Sequence, residues 1–137
     1  MRWVLLFLIK MVKSIKRTEY SSQEIYAKFY TETHQGAYAA YLRGKRIRLE
    51  EDFLREFSAA FQFPWYYGEN WNAFDECAAD LDWLSFSHIL IVIDDYSKMF
   101  YGNEKIDELR EVVERHLGYM VEDWENEGVN IEIWLNR

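Results

Sequence analysis

The side chains able to do chemistry are three histidines, one thiol and a large set of carboxylates. His34, His88 and His116 lie in three separate segments, and no two share the i, i+4 step by which a helix offers a metal two ligands. Cys77 falls among the apolar positions of its segment, where a buried structural thiol is the ordinary outcome and a nucleophile the exception. Gly68 and Gly102 are isolated, and Gly44 precedes Lys45 in a turn, so no glycine-rich loop cradles a phosphate. No metal, organic cofactor or small-molecule substrate is expected. The carboxylates would allow a glycosidase-like pair, but an excess of acids does not by itself select catalysis. The chain is not expected to be an enzyme.

The arrangement of those acids is more informative. Between Arg55 and Lys98 lie 42 residues without Lys or Arg, and they carry Glu56, Glu69, Asp75, Glu76, Asp80, Asp82, Asp94 and Asp95. Within FPWYYGENWNAFDECAADLDWL, Asn70 can cap a helix that follows it. Asn72, Glu76 and Asp80 are then four apart on one face, with Asp75 beside them and Glu69 and Asp82 at the two ends. Phe74, Cys77, Ala78 and Leu81 turn to the core. The helix dipole favours Glu69 near the N-terminus and disfavours Asp80 and Asp82 near the C-terminus, so stability alone does not select the pattern. A solvated helix face is the usual meaning of a charge run. Missing counter-charges beside Trp65, Tyr66, Tyr67 and Trp71 point instead to a docking surface for a basic protein, since aromatics beside charge anchor interfaces. Tyr66 and Trp71 are the aromatics expected to be exposed.

The elements that position this face follow from the rest of the chain. Its 137 residues fit one domain, half of them hydrophobic and 18% aromatic, enough for a continuous core. A lone cysteine excludes an intramolecular disulfide framework and fits a reducing, cytoplasmic setting. Residues 1–35 hold six bases and three acids, and residues 36–137 hold ten bases and twenty-one acids. So acidic a body repels nucleic acid, and direct nucleic-acid binding is not expected. The apolar run at residues 3–9 is far shorter than the roughly 20 residues of a membrane helix. It leaves a buried strand, an interfacial anchor or sequence upstream of a later start at Met11, and a membrane partner is not expected.

SSQEIYAKFYTE has capping-box spacing at Ser21 and Glu24 and predicts a short helix. AYAAYLR predicts a strand ending at Gly44. In LEEDFLREFSAAF, Leu49, Phe53, Phe57 and Phe61 form a helical stripe, closed off by Pro64. HILIVIDDY reads as a strand buried on both faces. A long helix capped by Asn103 runs from Ile106 to Trp124, open to interruption at Gly118 and ended by Gly128, before a last strand in VNIEIWLN. Helices between successive strands imply crossovers and a parallel sheet. The predicted class is α/β with about three parallel strands.

Pro64, Tyr66-Tyr67-Gly68-Glu69-Asn70, Asn72-Ala73 and Glu76-Cys77 together resemble the signature of the barstar family of intracellular ribonuclease inhibitors. The resemblance spans about residues 38–136. It divides the chain into an N-terminal extension of unclear role (1–35) and a barstar-like domain (36–137). It implies a three-stranded parallel sheet with helices packed on it, and a cytoplasmic protein that plugs the cationic active site of a secreted or toxin ribonuclease in a 1:1 complex, its carboxylates standing in for RNA phosphates. The family's loop tyrosine, glycine and asparagine fall on Tyr66, Gly68 and Asn70, and its two contact aspartates on Asn72 and Glu76. An aromatic of the family falls on Asp75, a helix glycine on Asp80, and a last-helix acid on Asp123. Asn72 is neutral, Glu76 is one methylene longer and Asp75 is charged, so Asp75 and Asp80 are expected to make up the charge for a nuclease of different shape. The alternatives are an acidic module binding a non-nuclease basic protein, or a hydrolase built on the carboxylates.

Overall fold

The computed structural model describes residues 14–137, and the apolar run at 3–9 lies outside them. Strands and helices alternate as β1 (Ile15–Thr18), α1 (Ser22–His34), β2 (Ala37–Arg43), α2 (Glu50–Ala60), α3 (Trp71–Asp80), β3 (His88–Asp94), α4 (Ile106–Asn126) and β4 (Asn130–Asn136). All pairings are parallel, and the strand order across the sheet is β1-β4-β3-β2. The α/β class and the parallel sheet agree with the sequence reading. The strand number does not: among the described residues there are four strands rather than three. The additional strand, β1, reads IKRT, too short and too charged to show apolar alternation.

β1 pairs with β4 from Ile15 to Thr18, and one buried side chain of β4 fastens the segment that leaves it. Asn136 is fully buried. Its Nδ2 donates to the Tyr20 carbonyl at 2.9 Å and to Asp94 Oδ1 at 2.8 Å. Its Oδ1 accepts from the Tyr20 N–H and from Thr18 Oγ1, both at 2.8 Å. Every hydrogen-bonding capacity of this amide is used. Asp94 also accepts from Tyr41 Oη at 2.6 Å and from the Asp95 N–H at 2.9 Å. Burial acts to raise its carboxyl, but hydrogen bonds from Tyr41, Asn136, Ser22 and the Asp95 backbone outweigh that and hold it below the usual carboxylate range.

Both faces of the sheet are covered, which is why HILIVID is almost unbroken aliphatic sequence. Ile89, Ile91 and Ile93 of β3 and Ile131, Ile133 and Leu135 of β4 join Phe53, Phe57, Phe61, Phe74, Val113 and Leu117 in the main core. Leu90 and Val92 point the other way, to Ala37 and to Ile25 of α1. Each fully buried phenylalanine contributes about 1.5–3 kcal/mol by leaving water, so the Phe53-Phe57-Phe61-Phe74 group fixes how α2 and α3 lie. Leu49 is not part of that stripe: it is the residue before α2 and is 54% exposed. Its backbone N–H instead donates to Asp52 Oδ2 at 2.9 Å.

α4 runs unbroken through the buried Gly118. Asn103 does not cap it; its Oδ1 accepts from the Lys105 N–H at 2.9 Å in the preceding turn, and Lys105 is the N-cap. At the other end Gly128 is left-handed (φ +77°), and the Gly128 and Val129 N–H groups return to Glu125 and Trp124, closing the helix as its sequence foretold. Gly44 meets a stricter demand: a Cβ there would stand 2.2 Å from the Asp95 carbonyl oxygen, so only glycine lets the ends of β2 and β3 approach.

Candidate partner-docking face

α2 ends against the core at Phe61, and the chain then makes a tight turn in which the Tyr67 N–H donates to the Pro64 carbonyl at 2.9 Å. Phe63 and Tyr67, on either side of the turn tip, are partly buried against the main core and meet edge to face, with centroids 5.0 Å apart. Between them Trp65 and Tyr66 stand at the tip, 95% and 59% exposed. Glu69 takes a left-handed conformation (φ +51°) and pairs with Arg55 at 3.7 Å. Asn70 then caps α3: its Oδ1 accepts from the Ala73 N–H at 2.9 Å and its Nδ2 donates to the Gly68 carbonyl at 3.3 Å. A Cβ on Gly68 would crowd that amide at 3.1 Å. Gly68 and Asn70 therefore set the angle at which loop passes into helix.

α3 presents Asn72, Glu76 and Asp80 to solvent in one row, as their four-residue spacing predicts. Phe74, Cys77, Ala78 and Leu81 are buried beneath. Asp75 departs from expectation. It turns toward α4, where its Oδ1 lies 2.7 Å from His116 Nδ1, so it has a hydrogen-bonding partner inside the chain. Trp71 is also not the exposed aromatic expected of it. It stacks on His116 (4.3 Å between centroids, planes 14° apart) and on Phe53 (5.7 Å, 30°), and its Nε1 donates to Glu50 Oε1 at 2.6 Å. The i, i+3, i+7 relation of residues 71, 74 and 78 carries that signal, and proximity to the acidic row obscures it.

Local charge is correspondingly one-sided. Among the described residues no Lys, Arg or His pairs with Glu76, Asp80, Asp82 or Asp123. A hydrogen bond with Asp80, and then its charge, hold the exposed Asp82 carboxyl above the usual range. The Asp123 carboxyl on α4 is raised by partial desolvation, then by the charges of Glu122 and of Asp75 on α3. The Cys77 thiol is raised by burial and then by Glu76 and Asp80, leaving it a protonated, buried group. Of the predicted residues, Tyr66, Gly68, Asn70, Asn72, Glu76 and Asp80 share the loop and outer face of α3, Asp123 borders them, and Asp75 sits behind. Trp65, Asp82 and His116 belong to the same neighbourhood; the sequence places Asp82 at the end of the acidic face and Trp65 among its aromatics, whereas no spacing points to His116.

A polar cleft of about 400 Å³ at the carboxyl ends of β2 and β3 is lined by Ser22, Tyr41, Arg43, Lys45, Asp94 and Asp95. Its buried carboxylate, Asp94, is held low rather than high, the opposite of what a general acid requires. Among the described residues no His, Cys, Asp or Glu cluster is arranged to hold a metal, and no helix is long and apolar enough to cross a membrane.

The family model described as barstar (barnase inhibitor) matches residues 37–136, from the first residue of β2 to the last of β4. The chain belongs to the barstar family. No curated protein matches it closely enough to count as a relative.

Proposed function

We propose that this chain is a cytoplasmic inhibitor or immunity protein that blocks the cationic active site of a secreted or toxin ribonuclease. The observation that carries the reading is the exposed row Asn72-Glu76-Asp80, extended by Asp82 and without a counter-charge among the described residues, on the helix directly after the family's signature loop. A cleft built to bind RNA phosphates offers Arg and Lys at short intervals, and carboxylates fixed on a rigid helix meet them at little entropic cost. The formal net charge of −8 steers a basic partner toward the molecule and raises the association rate at low salt. Barnase with barstar is itself a measured example of such steering and of hot-spot charge pairs.

In this reading Tyr66, Gly68, Asn70, Asn72, Glu76, Asp80 and Asp123 contact the nuclease, and Asp75 acts behind them through His116. Residues 36–137 form the inhibitory unit, to which β1 and α1 add an edge strand and a cover for the second sheet face. The family description, barnase inhibitor, supports a protein partner of this class. The test is an RNA-cleavage assay with barnase and with basic ribonucleases secreted by the same organism. Stoichiometric 1:1 loss of cleavage, with association slowed by salt, is expected; a full panel left uninhibited would remove the nuclease assignment.

A further inference from the structure

We infer that Trp65 is a receiving surface for an arginine side chain of the basic partner. The inference rests on the reading of this face as a docking site for a basic protein. Corner positions of tight turns are ordinarily filled by Gly, Asn, Asp, Ser or Pro, whose backbone preferences or small polar side chains suit a bend in water. Here the turn closed by the Tyr67 N–H and the Pro64 carbonyl carries Trp and Tyr at its two corners. Trp65 is 95% exposed and its ring contact is the edge-on meeting with Tyr66 (6.0 Å, 82°). The base of the turn is fixed, because Phe63 and Tyr67 are packed against the core on both sides. The pair is a rigid projection, presented at little entropic cost.

The charge around it states what would lie on the ring. Glu69, Glu76, Asp80 and Asp82 follow in the sequence on the exposed loop and helix, so the partner surface here is cationic. A cation that loses water against an indole face is favoured by the ring quadrupole, and a planar guanidinium stacks there better than an ammonium. Arg55, the cation that meets this loop among the described residues, is engaged with Glu69 at 3.7 Å. The Trp65 face therefore adds an arginine preference to a surface whose carboxylates alone attract any cation.

The test uses the full chain with blocked hexa-arginine and hexa-lysine peptides as probes at low salt, titrated calorimetrically. Wild type is expected to favour hexa-arginine, and Trp65→Ala to lose about two- to fivefold of hexa-arginine affinity with hexa-lysine affinity unchanged. Trp65→Phe should retain part of the preference, and Glu76→Ala should weaken both peptides alike. An arginine preference that survives in Trp65→Ala belongs to the carboxylates and overturns the inference, as does its absence in wild type. Sedimentation showing a dimer that Trp65→Ala dissolves would assign the ring to a second copy and overturn it too. Failure of ribonuclease inhibition alongside a Trp65-dependent arginine preference would remove the nuclease assignment and support the arginine surface.

Discussion

Asp75 Oδ1 and His116 Nδ1 lie 2.7 Å apart, so the acid at the middle of α3 is paired within the chain, whereas Glu76 one residue later has no ion-pair partner among the described residues. A one-residue step on a helix turns a side chain by about 100°, enough to send one carboxylate to α4 and the next to solvent. The exposed carboxylates of this row are consequently Glu76 and Asp80, and Asp75 joins α3 to α4.

Glu76→Ala should weaken binding to the cognate basic ribonuclease by more than about 2 kcal/mol, as expected of a central desolvated contact. Asp75→Ala should cost less in binding and more in folding, because it takes the partner from the His116 ring held beneath Trp71. Inhibition constants and urea melts on the two variants separate these roles. Equal binding losses would place Asp75 in the interface as well.

Asp80→Asn should melt higher than wild type at neutral pH and associate more slowly with the nuclease at low salt. Asp82 is raised in the folded protein by Asp80, so ionising it penalises the folded state above its pKa, and the penalty vanishes as pH falls through that value. The gain in melting temperature should therefore shrink in acid. A gain over wild type as large at pH 3 as at pH 7 would contradict this account.

Asp94 behaves in the opposite sense. Its folded pKa is depressed, so its contribution is fully present above the ordinary carboxylate range and is lost as pH falls through the folded value. Asn136→Ala takes one donor from the buried Asp94 carboxylate, which keeps Tyr41 and the Asp95 N–H, and takes both partners from the part-buried Tyr20 backbone, and should cost about 1–3 kcal/mol. Urea unfolding between pH 3 and 7 checks both, and Asp94→Asn should flatten the acid limb. Ribonuclease inhibition at pH 7 should be unchanged while the variants remain folded.

Tyr67 Oη is buried with no hydrogen-bond partner among the described residues, and burial, then Cys77 and Glu69, raises its pKa. Tyr67→Phe removes an unsatisfied hydroxyl while keeping the ring on Phe63, so it should be neutral or stabilising by about 1 kcal/mol. Thermal melts decide it; a clear loss of stability would mean that the hydroxyl finds a bond in solution.

Much of this was legible from spacing. The row Asn72-Glu76-Asp80, the Asn70 cap, the core side of α3 and the Gly128 stop all follow from helical period and cap chemistry, which are local. What spacing did not reveal depends on partners distant in sequence. β1 forms because β4 offers it a parallel edge and Asn136 grips the Tyr20 backbone, and no property of IKRT announces that. Trp71 and Asp75 are turned inward by His116 on a helix more than 40 residues away, so their chemistry resembled that of exposed neighbours. Trp65 is the converse case: its type suggests core, and only the turn geometry places it in water.

Since β4 lies between β1 and β3, the last strand in sequence holds together pieces that the chain produces much earlier. Ile15 pairs with Ile133, and α3 rests on the helix that leads into β4. Such separations make for slow closure, because the loop entropy must be met before the contact forms. The sheet therefore closes rather than grows. Until β4 enters, β1 has no neighbour and the seat of the acidic helix is incomplete, so capacity to bind should arrive late and all at once during folding.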